Sequence, residues 1–281
     1  RNGYFWSKKV RNMKEVIGFI GAGNMATALI SGLINSRHSS SQIIASSPEQ
    51  EHLDNLTSKF GIKTSKDNNE VLEIADILIL AVKPNIIESV ILEIKNSVIK
   101  KDVLVISIAA GIKIKKIESL FGSSIKVIRA MPNTPASIME GVTAITSNQN
   151  VKGADIDNAK FLFECVGKVA EIKEEDIDIF TALIGSGPAY VFYLIESLLS
   201  ASENLDLSKE KKVELLASMI SGAANLVIVS EDSPKDLRKK VTSPGGVTQR
   251  AIEEFEILKL KEIIKQSMEA AENKSIELGD D

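Results

Sequence analysis

The sequence predicts an α/β chain, a Rossmann-like, doubly wound and mainly parallel sheet followed by an all-helical half. Three observations predict it. An apolar run at residues 16–20 breaks at Gly21-Ala22-Gly23 and passes directly into the helical pattern Met25, Ala26, Ala28, Leu29, Leu33. Short apolar runs then alternate with helical segments up to residue 173. From Glu174 to the end no convincing strand follows. The length of 281 residues suits two domains, read here as 13–173 and 174–281.

The first stretch is G-x-G-x-x-A between a strand and a helix, the setting in which that spacing has physical meaning. Gly21 permits the tight turn, Gly23 lets the backbone approach a pyrophosphate, and small Ala26 lets the helix close onto the strand. Free N–H groups at the helix start hold phosphates. A tight turn that binds nothing is the alternative, and the flanking pattern weighs against it.

A second strand at residues 42–46 ends at Ser46-Ser47-Pro48. An NAD site usually carries Asp or Glu here for the ribose 2′-hydroxyl. The first acid, Glu49, lies beyond Pro48, so two hydroxyls and no carboxylate leave room for a 2′-phosphate. NADPH is therefore the predicted cofactor, with NADH as an alternative. A helix at residues 49–60 ends at Gly61, a suitable C-terminal cap. A brief strand at 62–64 and a helix at 70–74 lead to the apolar run 76–84, a strand covered on both faces and stopped by Pro84. A helix at 86–98 precedes a strand at 103–108, which ends in the small residues Ala109-Ala110-Gly111. Residues 126–131 form the next strand, and 142–146 and 169–172 read as additional edge strands.

In the helical half, residues 176–183 are followed by Gly185-Ser186-Gly187-Pro188 and long amphipathic helices at 189–205 and 209–229. Ser208 caps the second of these, and Ser233-Pro234 opens another. Helices at 247–255 and 258–277 complete the half. Leu194, Ile195, Leu198, Leu215, Leu216, Met219, Ile220, Leu226 and Ile228 are too apolar for a small isolated bundle. An internal core is read as accounting for at least half of these positions, and a second subunit for the rest, so a homodimer is predicted.

Composition excludes several classes. Hydrophobic residues at 44% and charged residues at 26% are ordinary for a globular protein. A net charge of −4 offers no basic surface for nucleic acid or an anionic membrane. Cys165 is the only cysteine, so no intramolecular disulfide forms, which fits a reducing, cytoplasmic setting. With His38 and His52 it gives no metal-ligand spacing. No apolar run is read as long enough to span a bilayer. Residues 1–12 lack the apolar core of a signal peptide, and Met13 is read as the natural start.

A dinucleotide site implies hydride transfer. Ketone reduction needs an acid for the developing alkoxide, and both histidines read as solvated. Lys83 sits at a strand end, where a solvated charge is the plainer reading. A protonated C=N substrate relaxes the demand, because its nitrogen keeps the proton after hydride arrives. The loop Thr242-Ser243-Pro244-Gly245-Gly246-Val247-Thr248 suits it: two glycines at a helix start expose N–H groups to a carboxylate, and Ser243 and Thr248 add hydroxyls. An ordinary capped loop is the alternative.

Together these residues resemble the pyrroline-5-carboxylate reductases, from Val16 to Leu278. The resemblance is carried by the glycine turn, by Ala81-Val82-Lys83-Pro84 and by Arg129-Ala130-Met131-Pro132-Asn133-Thr134-Pro135. Gly185-Ser186-Gly187-Pro188-Ala189-Tyr190 and the 242–248 loop are its most specific parts. It implies reduction of L-1-pyrroline-5-carboxylate to L-proline, the last step of proline synthesis, with NADPH or NADH. It assigns cofactor binding to Ile20, Gly21, Ala22, Gly23, Asn24, Met25, Ser46, Ser47, Pro48, Asn68, Ala81, Val82, Lys83, Pro84, Ala109 and Ala110. Ser243, Gly245, Gly246, Thr248, Glu174 and Asn133 match the substrate pocket, with Thr248 near the imine nitrogen as the catalytic residue. The resemblance also implies helix-swapped dimers, frequently five in a ring. A β-hydroxyacid dehydrogenase shares the architecture but needs a helical-half Lys as base, and none stands in a convincing setting. A non-catalytic NADPH sensor is the reading from outside the enzymes.

Overall fold

Continuous apolar runs become strands because both sheet faces are covered. In a computed structural model describing residues 13–99 and 101–280, alternate side chains of the inner strands enter two separate cores. Ile17, Phe19, Ile77, Ile79, Leu104 and Ile106 face one layer, and Ile20, Leu78, Leu80 and Val105 face the other. The proposed leader, residues 1–12, lies outside the described residues.

The sheet unit runs β1 (Ile17–Ile20), α1 (Asn24–Asn35), β2 (Ile43–Ser46), α2 (Gln50–Phe60), β3 (Lys63–Ser65) and α3 (Asn68–Ile74). It continues with β4 (Ile77–Leu80), α4 (Ile87–Ile99), β5 (Leu104–Ser107), α5 (Ile114–Phe121) and β6 (Lys126–Met131). Its last members are β7 (Gly141–Ser147), α6 (Gly153–Glu164) and β8 (Gly167–Glu171). Strand order is β3-β2-β1-β4-β5-β6-β7-β8, parallel except where β7 runs against β6. The doubly wound, mainly parallel sheet is thus as predicted. β7 is not an edge strand: it pairs with both β6 and β8, and only β8 closes that side. α5 and α6 were missed as helices. Both carry a short amphipathic period, Ile114, Ile117, Phe121 in one and Ala159, Leu162, Phe163 in the other.

After β8 the described residues are helical: α7 (Ile177–Phe180), α8 (Gly187–Ser200), α9 (Lys209–Val229), α10 (Pro234–Lys240), α11 (Val247–Ile257) and α12 (Leu260–Asp280). Ser208 and Ser233 cap α9 and α10, their side chains accepting from Lys211 N–H and Asp236 N–H. The chain divides into two compact units. One runs through Ser186 and takes back the tail from Ala271, and the other is Gly187–Ala270. The helical turns just beyond Glu174 therefore stay with the sheet, because Ile177 and Phe180 pack with Ala144 of β7. The tail is fastened there by Ser275, whose buried hydroxyl donates to Asp178 Oδ1 at 2.6 Å.

Three expectations are corrected. No residue of α8 or α9 is buried, so Leu194, Leu215, Met219, Leu226 and Ile228 are exposed rather than half of them forming an internal core. The continuous helical stretches Glu174–Ser200 and Lys209–Val229, of 27 and 21 residues, are long and apolar enough to cross a bilayer by length and composition. In the first, Gly185-Ser186-Gly187-Pro188 does not break the helix as expected: a π-helical turn, Thr181–Gly185, carries the chain into α8. The second is a helix, as expected, and is also long enough to span. Its charges cluster in the first turns and leave the rest apolar.

His38, expected to be solvated, is buried near the amino end of β2, and its Nε2 has no partner among the described residues. His52 on α2 is exposed, as expected. Desolvation holds the His38 imidazole below its ordinary value, opposed by the Gln42 backbone and the charge of Glu15. The folded chain thus resists a proton that the unfolded chain accepts below about pH 6.5, so stability falls with acid. Thermal melts between about pH 7.5 and 5.5 should show a shallower acid loss for His38→Gln than for the wild type.

Candidate active site

In a parallel sheet, ligands gather where the strands' carboxyl ends line one edge and the winding reverses. Here Ile20 pairs with Ser46 and Leu80, and Leu80 with Ser107, so the four ends are level. The winding reverses between β1 and β4. Gly21, with φ +103°, occupies this point, and its N–H donates to the Ser46 carbonyl at 2.9 Å. A Cβ on Gly21 would lie 2.4 Å from the Ala81 carbonyl oxygen. A Cβ on Gly23 would meet nothing within 4 Å, so that side of the turn is open.

Gly23 caps α1 without a side-chain bond, and the first turn holds no acid. The first amide bonded within the helix is Thr27, to the Gly23 carbonyl. The amides of Asn24, Met25 and Ala26 precede it and face an anion-friendly helix start. This cradle fits the pyrophosphate of a dinucleotide. Ile20 and Ala22 are buried beneath it, Asn24 is exposed and Met25 half-buried. Past β4, Ala81 and Val82 are half-buried while Lys83 and Pro84 are exposed; past β5, Ala109 is buried and Ala110 exposed.

The end of β2 differs from the expectation. Ser46 is wholly buried, and its hydroxyl donates to Asn68 Oδ1 at 2.7 Å, while Asn68 Nδ2 donates to Glu93 Oε2 at 3.1 Å. Ser47 Oγ donates to Glu49 Oε2 at 2.7 Å and accepts from the Glu49 N–H at 3.3 Å. The strand end therefore does carry a carboxylate. The turn at Pro48 folds Glu49 back onto Ser47, which the linear order of residues conceals. The Ser47 hydroxyl first, then the Glu49 amide, with His52 and Lys83 adding, hold the Glu49 carboxyl below its ordinary value.

Asn133 and Glu174 are brought into the sheet unit as braces. Buried Asn133 accepts from the Val142 N–H at 2.8 Å and donates to the Ile184 carbonyl at 3.1 Å. Glu174 Oε1 accepts from the Ile114 N–H at 2.7 Å and from Arg129 Nη1 at 3.3 Å. Arg129 was not singled out from the sequence. Its signal was a charge inside the apolar strand 126–131, which on burial demands an acid.

In the second unit, Gly245 turns the loop with φ +71°. Neither glycine amide is free: Gly245 N–H donates to Gln249 Oε1 at 2.7 Å and Gly246 N–H to the Ser243 carbonyl at 3.0 Å. The amides ahead of the first intrahelical bond of α11, Arg250 to Gly246, are those of Val247, Thr248 and Gln249. No side chain caps this helix and no acid lies in its first turn. Ser243 and Thr248 are exposed beside it, so the loop presents three amides and two hydroxyls to an anion.

Comparison with known proteins decides between the enzyme classes this geometry admits. The pyrroline-5-carboxylate reductase of Pseudomonas aeruginosa is 37% identical over 265 residues, covering 94% of this chain and 97% of that one. The chain belongs to the pyrroline-5-carboxylate reductase family. Residues 174–278 match the family model described as pyrroline-5-carboxylate reductase dimerisation, and residues 16–111 that of NADP oxidoreductase, coenzyme F420-dependent. The solved pyrroline-5-carboxylate reductase from Coxiella burnetii has a TM-score of 0.89 at 37% identity, covering 95% of this chain and 99% of that one. The Plasmodium falciparum pyrroline carboxylate reductase, solved with NADP bound, has a TM-score of 0.86 at 34% identity, covering 95% and 98%.

The membership favours neither the hydroxyacid dehydrogenase nor the sensor reading. It also explains the two apolar helical stretches: both lie in the dimerisation region, and an apolar face without cover is what a subunit interface requires. Glu174→Ala should lower the free energy of unfolding in urea by about 1–3 kcal/mol, since Arg129 is left buried without its counter-charge. Glu174→Gln, which keeps an acceptor for Ile114, should lose less.

Proposed function

We propose that this chain reduces L-1-pyrroline-5-carboxylate to L-proline with NADPH, and with NADH as an alternative, as the last step of proline synthesis. The observation that carries the reading is the uncapped, acid-free start of α11 with Thr248 exposed at it, in a chain that matches these reductases over nearly its whole length. Residues 13–173 carry the nucleotide module and 174–281 the substrate and dimerisation module, although packing sets the compact division at Ser186 and returns the tail from Ala271 to the sheet unit.

A nicotinamide cofactor bound here would supply the hydride. Ile20, Gly21, Ala22, Gly23, Asn24 and Met25 hold the pyrophosphate. Ser47, Pro48 and Asn68 line the adenosine end, with Ser46 supporting Asn68 from below. Ala81, Val82, Lys83, Pro84, Ala109 and Ala110 line the remaining strand ends. The substrate carboxylate rests on the first amides of α11, with Ser243 donating and Gly245 and Gly246 shaping the turn. Asn133 and Glu174 act as braces within the sheet unit. Thr248 orients the ring nitrogen. As hydride bonds to the imine carbon, the C=N π pair becomes the nitrogen lone pair and the proton already on nitrogen stays. A hydroxyl that orients is then sufficient, and no strong acid is required.

Each active site is completed by a second chain, in a homodimer whose family assembly is frequently five dimers in a ring. The single buried cysteine, Cys165, is in keeping with a cytoplasmic setting. Adding 1-pyrroline-5-carboxylate to protein and NADPH should bleach the nicotinamide absorbance; no oxidation with either cofactor would refute the assignment. Thr248→Ala should cut kcat at least about tenfold while leaving the cofactor dissociation constant within about twofold. Unchanged turnover removes Thr248 from the mechanism.

A further inference from the structure

A 2′-phosphate and a 2′-hydroxyl make opposite demands on the end of the second strand. A doubly charged phosphate wants donors and cations, whereas a ribose hydroxyl wants an acceptor. The nominal candidates to read this difference, Ser46 and Ser47, are not free to do so. Ser46 is wholly buried and committed to Asn68, so it never faces a ligand directly. The Ser47 hydroxyl is taken by Glu49 at 2.7 Å. What the strand end presents outward is thus the exposed Glu49 carboxylate, with His52 Nδ1 at 3.5 Å from Oε2.

We propose that Glu49 is a specificity-determining residue, whose carboxylate on Ser47 accepts from a ribose 2′-hydroxyl and opposes a 2′-phosphate. It stands where a dinucleotide fold conventionally places its ribose-binding acid, although it reaches that place from beyond Pro48. To admit NADPH the carboxylate must leave Ser47. The hydroxyl is then released to donate to the phosphate, beside His52 and Lys83. To admit NADH nothing need move, because the second Glu49 oxygen is available as an acceptor. Glu49 therefore offsets the preference for NADPH that the bare strand end would have, and keeps NADH usable. Ser46→Asp or Ser47→Asp would be a poor probe, since both positions are buried and a new charge there would disturb the core. Glu49 is exposed and can be changed without that cost.

The proposal rests on the reading of this strand end as the adenosine site, and the test separates the two. NADPH and NADH are each titrated into the wild type and Glu49→Gln, and dissociation constants are read from the enhanced fluorescence of the bound nicotinamide. The neutral variant should bind NADPH about tenfold more tightly and NADH a few-fold less tightly, so the ratio of the two constants changes sharply. An unchanged ratio overturns the role of Glu49, whether both constants stay put or both weaken together, because a residue that only shapes the turn would not discriminate. Failure of the wild type to bind either cofactor overturns the adenosine site itself. Glu49→Lys supplies a second reading of the same kind: it should favour NADPH further still, and equal effects on both cofactors would again refute the assignment.

Discussion

The turn after β1 is the constraint on which the cofactor edge depends. Gly21 donates its N–H to the end of β2 and passes within 2.4 Å, at the place of a missing Cβ, of the Ala81 carbonyl just past β4. One residue with a positive φ therefore ties three strand ends to one level. Any side chain there would have to push β4 away from β1, and the level edge would be lost. The glycine is required first by the protein's own backbone, whereas the Cβ position of Gly23 opens on empty space.

Two helix starts share one electrostatic design in different settings. α1 and α11 each begin at a glycine N-cap with no side-chain bond and no acid in the first turn. By contrast, α3, α9 and α10 are closed by Asp67, Ser208 and Ser233. A capped helix start has given away one of its donors, and an uncapped one keeps it for a ligand. An open start is not by itself a ligand site, since α5 also begins without a side-chain cap or a first-turn acid and its Ile114 amide is taken by Glu174. At the strand end near Ser47 the protein has placed a negative charge of its own.

The helical region answers a different physical demand. α8 and α9 bury no residue in the single chain, although Leu194, Leu215, Met219 and Leu226 lie along them. The same apolar content could equally describe a bilayer-crossing helix or a subunit interface, because length and hydropathy do not name the solvent. Membership of a family with a dimerisation region supplies what hydropathy alone leaves open.

Much of this molecule was legible in the chain itself. The run from Val16 through Ala26, the continuous apolar strands around Leu78 and Val105, and the caps at Gly61, Ser208 and Ser233 are local statements, set by steric freedom and periodicity over a few residues. The 242–248 loop was legible as a helix start, although its two glycine amides are bonded to Gln249 and Ser243 rather than free. Four things were decided only by the tertiary structure: the buried state of His38, the interior place of β7, the bracing of Arg129 by Glu174, and the return of Glu49 to Ser47. The first three join groups separated by a strand crossing or many residues, so the energy that fixes them resides in contacts that no short window contains. Ser47 and Glu49, by contrast, are two residues apart, and it is the backbone bend at Pro48 that brings them together.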